Sequence, residues 1–144
     1  MPSKVIFNRA LNACKSNSCE YKVAAVLYKG GSVIRIAQNN EKYIQYRRRY
    51  FEHGEPTRHA EINAIHSIPR DVIAGCSMLV LRLDSKNRIR SAKPCLACAK
   101  SLFDSGIKRV FYSSYSGEIL KLDFSELIND NYNKEFFCDY ERLY

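Results

Sequence analysis

The sequence predicts a mixed α/β domain in three layers, a sheet of about five strands covered by helices on both faces. Three observations carry this. Its 144 residues, 46% of them hydrophobic, suffice for one buried core without disulfides. Segments of helical period alternate with short β-rich runs in the order α-β-β-α-β-α-β-β-α. No internal repeat, low-complexity tract or linker interrupts them. Residues 1–144 therefore read as one domain, with a core over about 4–122 and a C-terminal helix and aromatic tail over 123–144.

Ser3 is the expected N-cap of an amphipathic helix over 4–16, where Ile6, Ala10 and Ala13, with Phe7, Leu11 and Cys14, follow helical spacing. YKVAAVLY (21–28) and SVIRIAQ (32–38) are β-rich runs separated by Lys29-Gly30-Gly31. The glycine pair accepts the positive φ angles of a tight turn, which predicts an antiparallel hairpin. Residues 39–57, NNEKYIQYRRRYFEHGEPT, hold no period and end in Gly54 and Pro56. A loop this long inside a compact domain is often functional.

Ala60, Ala64 and Ile68 at i, i+4 and i+8, with Ile65 beside them, predict a helix that Pro69 ends. CSMLVLRL (76–83) reads as a buried strand, DSKNRIRSAK (84–93) as a polar basic loop, and residues 95–105 as a helix ending near Gly106. The apolar face of that helix is Leu96, Ala99, Leu102 and Phe103. KRVFYSS (108–114) is a strand, and the short Tyr115-Ser116-Gly117 turn makes EILKL (118–122) an antiparallel fifth. Asp123 with Glu126 resembles a capping box for a short helix over 124–129. The tail 131–144 carries Tyr132, Phe136, Phe137, Tyr140 and Tyr144, too aromatic a set to hang free.

Lys and Arg exceed Asp and Glu by 23 to 15, and the resulting charge of +8 favours an anionic partner, either a phosphate-bearing ligand or a nucleic acid. The basic residues gather in two places, Arg47-Arg48-Arg49 and the segment holding Lys86, Arg88, Arg90 and Lys93. A solvated charged face is the plainer reading of such runs. No stretch approaches the roughly 18–20 consecutive apolar residues of a membrane span, and MPSKVIFNRALNACK has no signal-like apolar run. A cytoplasmic protein with no membrane partner is expected. Its six cysteines are then reduced thiols, some of them binding metal.

Two short stretches carry chemistry. In AKPCLACAK (92–100), Cys95 and Cys98 are three apart, so on a helix their side chains share a face, and Pro94 places them in its first turn. The positive end of the helix favours thiolate, the form that binds zinc. Alone, Cys-x-x-Cys could equally be a redox pair or half of a structural zinc site. In RHAEINAI (58–65), His59 opens the preceding helix, where an imidazole can point past the helix end. Joined to the two cysteines it is a third ligand. Three protein ligands leave one tetrahedral position of Zn²⁺ for water, the catalytic arrangement. Glu61 lies two residues from His59, roughly 200° around an ideal helix. Both aim at one point only if the ion lies beyond the helix end and the carboxylate reaches the water without being a ligand.

His59-Ala60-Glu61 followed by Pro94-Cys95-Leu96-Ala97-Cys98 resembles the signature of zinc-dependent cytidine and deoxycytidylate deaminases. The order of elements over 4–122 is similar to that family's layered sheet. The resemblance implies a cytidine-deaminase-like fold with His59, Cys95 and Cys98 holding Zn²⁺ and Glu61 moving protons to the pyrimidine ring and the leaving amine. It also implies a homo-oligomer. Where many relatives have Gly-x-Asn after the second strand, Ala37-Gln38-Asn39 stands here, which makes Asn39 the sugar-contact candidate by position although the glycine is missing. Ala60 would offer backbone groups to the base. Cys14, Cys19, Cys76 and Cys138 lack ligand spacing, and most of them read as buried free thiols, with His66 as a helix-surface residue. His53, in the long loop, is a candidate contact to substrate or a second metal.

HAE, with Cys-x-x-Cys followed by Ala99, is closer to the deoxycytidylate branch, which makes a free pyrimidine nucleotide the leading substrate. The tight turn before the fifth strand points instead to nucleoside-type relatives, so cytidine or deoxycytidine stays open. The basic segments, with Tyr43, Tyr46, Tyr50 and Phe51 interleaved, would also suit single-stranded nucleic acid. A third reading is a zinc-stabilised binding module without turnover. Glu61 counts against it, and a fourth protein thiolate such as Cys76 on the metal would favour it.

Overall fold

The computed structural model describes residues 1–19, 21–39 and 59–128. The loop residues Arg47–Arg49, Tyr43, Tyr46, Tyr50, Phe51 and His53, with Cys138 and the aromatic tail, lie outside them. Helix α1 (Lys4–Lys15) starts where expected, because the Ser3 side chain accepts from the Ile6 amide at 3.2 Å. Strands β1 (Lys22–Lys29) and β2 (Ser32–Gln38) form the predicted hairpin, with Gly30 at φ 58°. A register shift between Leu27 and Tyr28 leaves Leu27 opposite Arg35 and Tyr28 opposite Val33.

Helix α2 (Ala60–Ile65) is shorter than its apolar spacing predicts. Ser67 takes a left-handed φ of 64°, and Pro69 opens a second short helix, α3 (Arg70–Ile73), instead of merely ending the first. Strand β3 (Ser77–Leu83) is central. It pairs antiparallel with β1 along its whole length and parallel with β5 (Arg109–Ser113) over Ser77–Val80. Beyond Val80 the place of β5 is taken by β4 (Ile89–Arg90), antiparallel to Arg82–Leu83.

Residues 84–93 are thus a hairpin, not an open loop, and Asp84 builds it. Its Oδ1 accepts from the Lys86 and Arg88 amides, both at 2.9 Å, and its Oδ2 from Arg88 Nε at 2.8 Å and Arg90 Nε at 3.0 Å. Two residues of strand are too few to leave a periodic signal. These bonds, led by the Arg88 amide, hold the Asp84 carboxyl well below its ordinary value near 3.8. Its contribution to stability is therefore full above that ordinary value and is lost as pH falls towards the depressed folded one. Asp84→Asn should lower the thermal midpoint at neutral pH, with the gap to the parent narrowing below about pH 4 in a pH series of melts.

Helix α4 (Leu96–Asp104) ends as predicted. Gly106, at φ 87°, donates to Phe103 O and Ile107 to Leu102 O, the paired bonds of a Schellman stop. Strand β6 (Ile119–Lys121) is antiparallel to β5, giving the order β2-β1-β3-β5-β6. The closing helix Phe124–Ile128 is 3-10, and the expected capping box is incomplete. Asp123 Oδ1 accepts from the Ser125 amide and hydroxyl, but the Glu126 carboxylate turns to Lys93 Nζ at 3.4 Å instead of to the cap.

Alternation along the strands divides the interior in two. Ala24, Val26, Leu79, Leu81, Leu83 and Phe111 meet Ile6, Ala10 and Cys14 of α1. Ala25, Leu27, Met78, Val80 and Val110 meet Ala60 and Ala64 of α2 and Ala99 and Leu102 of α4. The result is the three-layer α/β fold with an open mixed sheet, five strands in line and β4 beside β3. The buried Cys14 thiol donates to Leu81 O, and burial pushes its pKa up to about 12. None of the five described cysteines is in a disulfide. Among the described residues no helix is long and apolar enough to cross a membrane.

Candidate active site

The parallel strands β3 and β5 end on the same edge of the sheet, where open α/β folds place their sites. The chain between β3 and α4 is pinned there, because the Ala92 amide donates to Ser113 O at 2.9 Å and Ser113 Oγ donates to Arg90 O at 2.7 Å. That pinning brings the N-terminus of α4 against the N-terminus of α2.

Both helices begin with a site residue as N-cap. His59 (φ −67°, ψ 144°) precedes α2, and Cys95 (φ −66°, ψ 164°) precedes α4. An N-cap residue has extended backbone, so its side chain is released from the 100° step of the helix. This removes the obstacle raised by the two-residue spacing of His59 and Glu61. Pro94 is buried and lies one residue ahead of the cap, not inside the first turn. The Cys95 sulfur itself caps α4, accepting from the Cys98 amide at 3.3 Å.

His59 Nδ1 stands 3.1 Å from Cys98 Sγ and 3.5 Å from Cys95 Sγ, and the three donor atoms lie within 4.8 Å of one another. In a tetrahedral zinc site, with Zn–S near 2.3 Å and Zn–N near 2.0–2.1 Å, nitrogen and sulfur are about 3.6 Å apart. The donor set and its spacing fit zinc. Both cysteines are buried, at 5% and 1% exposure, and His59 is half-buried. The Cys98 side chain, then His59, hold the Cys95 thiol well below the usual thiol range against the opposing effect of burial. Thiolate is the ligand form.

Glu61 is 5% exposed, an unusual place for a carboxyl. Burial pushes its pKa up, with neighbouring His59 acting in the opposite direction and Cys95 in the same one. Its side chain is also hydrogen-bonded by Cys98. Ala60, between the two, is fully buried. His59, Ala60, Glu61, Cys95 and Cys98 are therefore gathered at one point. Asn39 is placed differently. Its Oδ1 accepts from Asn17 Nδ2 at 2.6 Å and the Val23 amide at 3.3 Å, and its Nδ2 donates to Tyr21 O at 2.8 Å. The side chain organises the turn between α1 and β1.

Sequence reasoning missed Asn63 and Arg35. Asn63, on α2, donates through Nδ2 to Gln38 O at 2.7 Å, and Arg35, on β2, reaches the far end of the same helix. The signal for Arg35 was present: strand alternation puts this cation on the face of Ala37, which packs into the core beneath α2. Most of the basic segment 86–93 is committed elsewhere. Arg88 and Arg90 bind Asp84 and Lys93 binds Glu126, leaving Lys86 as the one of the four without a carboxylate partner among the described residues. Cys76, the thiol that would complete a four-ligand structural site, donates instead to Val72 O at 3.0 Å, at the other end of β3.

No curated protein sequence matches the chain. Among solved structures it is similar to the apo dCMP deaminase of cyanophage S-TIM5, at 21% identity and TM-score 0.51 over 80% of this chain and 87% of that one. The same enzyme in complex with dCMP and dUMP aligns over 94% and 95% of the two chains, at 19% identity and TM-score 0.52. These likenesses establish the cytidine-deaminase-like fold. The family model described as the cytidine and deoxycytidylate deaminase zinc-binding region matches residues 3–114, well over half of the chain. The chain belongs to that family, and is a zinc-dependent hydrolytic deaminase.

Proposed function

We propose that this enzyme converts the cytosine of a free pyrimidine nucleotide to uracil, with dCMP the leading substrate and dUMP and ammonia the products. The observation that carries the reading is a buried carboxyl, Glu61, beside the three-donor cluster of His59, Cys95 and Cys98. The name of the S-TIM5 relative, solved with dCMP and dUMP, supports the choice of nucleotide.

In this reading His59, Cys95 and Cys98 are the zinc ligands, and the ion supplies the Lewis acidity that makes water nucleophilic near neutral pH. Glu61 takes a proton from the attacking water and passes it to N3 of the ring as the C4–O bond forms. It then takes the second proton of that water, from the C4 hydroxyl, and delivers it to the exocyclic amine, and the C4–N bond breaks to release ammonia as the C4 carbonyl forms. A carboxyl whose pKa burial has raised is suited to both directions of transfer. Ala60 presents backbone groups to the base. Asn39 remains the candidate contributor to the sugar site by its place at the end of β2, acting through the turn it holds.

A cytosine deaminase acting on single-stranded nucleic acid is the second reading. Pairing of Arg88, Arg90 and Lys93 with carboxylates reduces the basic track it would use. The deciding experiment is ammonia release from cytidine, deoxycytidine, CMP, dCMP, dCTP and a cytosine-containing oligonucleotide. Turnover greatest on dCMP is expected. Turnover of the oligonucleotide alone, falling steeply with salt, would replace this reading with the second.

A further inference from the structure

We infer that Arg35 is a positioning residue for the deamination, its guanidinium holding the C-terminal end of the helix whose N-terminal end presents His59, Ala60 and Glu61. The inference rests on the role proposed for Glu61.

Helix α2 has six residues, far short of the roughly 12–15 at which an isolated helix becomes marginally stable. Its last carbonyls have no partners within the helix. It carries no basic residue in its final turn to offset the negative end of the helix. Arg35 supplies both needs from another element. Its Nη1 donates to Asn63 O at 3.3 Å and to His66 O. Within the same helix Asn63 donates back to Gln38 O at 2.7 Å, so two residues of β2, three apart, grip one short helix.

This grip matters because β2 is paired with β1, and β1 with the central β3, so α2 is referenced to the middle of the sheet. Glu61 lies in the first turn, only two residues ahead of Asn63. Movement at the C-terminal end is therefore transmitted to the carboxyl. Misplacement of a reacting group by about 1 Å costs on the order of 10²-fold in rate. Arg35 is not one of the three metal donors, and a proton-transfer group is far more sensitive to placement than a metal ligand or a backbone contact, so the loss should fall mainly on the chemical step.

The test compares the parent with Arg35→Lys and Arg35→Ala, measuring kcat and KM on the best substrate of the panel, zinc content, thermal midpoint, and deuterium exchange of the Ala60–Ile65 amides. Arg35→Ala should keep its zinc, lose about 10- to 100-fold in kcat with KM within about twofold, and exchange faster across α2. Arg35→Lys, which keeps the cation and enough donors but loses the reach and fixed planar geometry of the guanidinium, should fall between, and added guanidinium should restore part of the alanine variant's kcat. Unchanged kcat in both variants, or a loss confined to KM, would overturn the inference. If Arg35→Ala does not fold, the lysine variant decides by the same readouts. If the parent deaminates nothing, the proposed function fails while exchange still decides the role of Arg35, and unaltered α2 exchange would overturn it.

Discussion

Glu61→Gln should reduce kcat by about 10²- to 10⁴-fold, the usual contribution of a positioned general acid–base, while leaving zinc content unchanged. Glutamine keeps the shape of the side chain and one acceptor oxygen, and replaces the other oxygen with an amide that cannot take and return a proton. Zinc is retained because the carboxyl lies outside the three-donor cluster. The variant also has a stability signature. The pKa of Glu61 is raised in the fold, chiefly by burial, so its carboxyl favours folding at low pH and opposes it once pH rises through the folded value. The glutamine has no charge to desolvate and should melt no lower than the parent at pH 8. Metal analysis, ammonia release and thermal melts check the three expectations together, and near-parent turnover would remove Glu61 from the reaction.

Cys98→Ala should abolish both zinc binding and turnover, whereas Cys76→Ala should keep zinc. Both thiols are buried, at 1% and 0% exposure, so burial alone cannot separate the outcomes. Geometry does: Cys98 Sγ is 3.1 Å from His59 Nδ1, while Cys76 Sγ is spent on Val72 O. A ligand that binds only the folded chain stabilises it by about 4 kcal/mol at a thousand times its dissociation constant. Cys98→Ala should lose stabilisation of that order, and chelation of the parent should reproduce the loss. Since protons compete with the metal for thiolate and imidazole, zinc retention in the parent should weaken as pH falls. Full zinc in Cys98→Ala would show that the ligands lie elsewhere.

Much of the candidate site was legible because zinc chemistry demands these residue types at these spacings. One histidine, one glutamate and a Cys-x-x-Cys pair beside helix starts leave few alternatives. The two-residue spacing of His59 and Glu61 was the weak point. An N-cap conformation resolves it, and a cap is a property of one residue's backbone that periodicity does not report. The fold was legible in its long elements. Leu79, Leu81 and Leu83 alternate with Met78 and Val80 in a run apolar enough to declare a strand covered on both sides. The early end of α2 and the strand β4 were not, since each depends on local detail without a period: the left-handed backbone of Ser67 in one case and the bonds accepted by Asp84 in the other. The basic residues of 86–93 looked like an open cationic surface only because their carboxylate partners, Asp84 and Glu126, could not be assigned before the chain was folded.

The division of the interior by β3 has a consequence for how the protein can change. Substitutions toward α1 act on a wall that never meets the reacting groups, whereas substitutions toward α2 and α4 disturb the bed on which both helix starts rest. Drift at Ile6, Ala10 or Leu81 should then tell on stability alone, and drift at Ala64, Val80 or Ala99 on stability and rate together. A lineage could remodel one side of this sheet extensively while the reaction on the other stayed as it was.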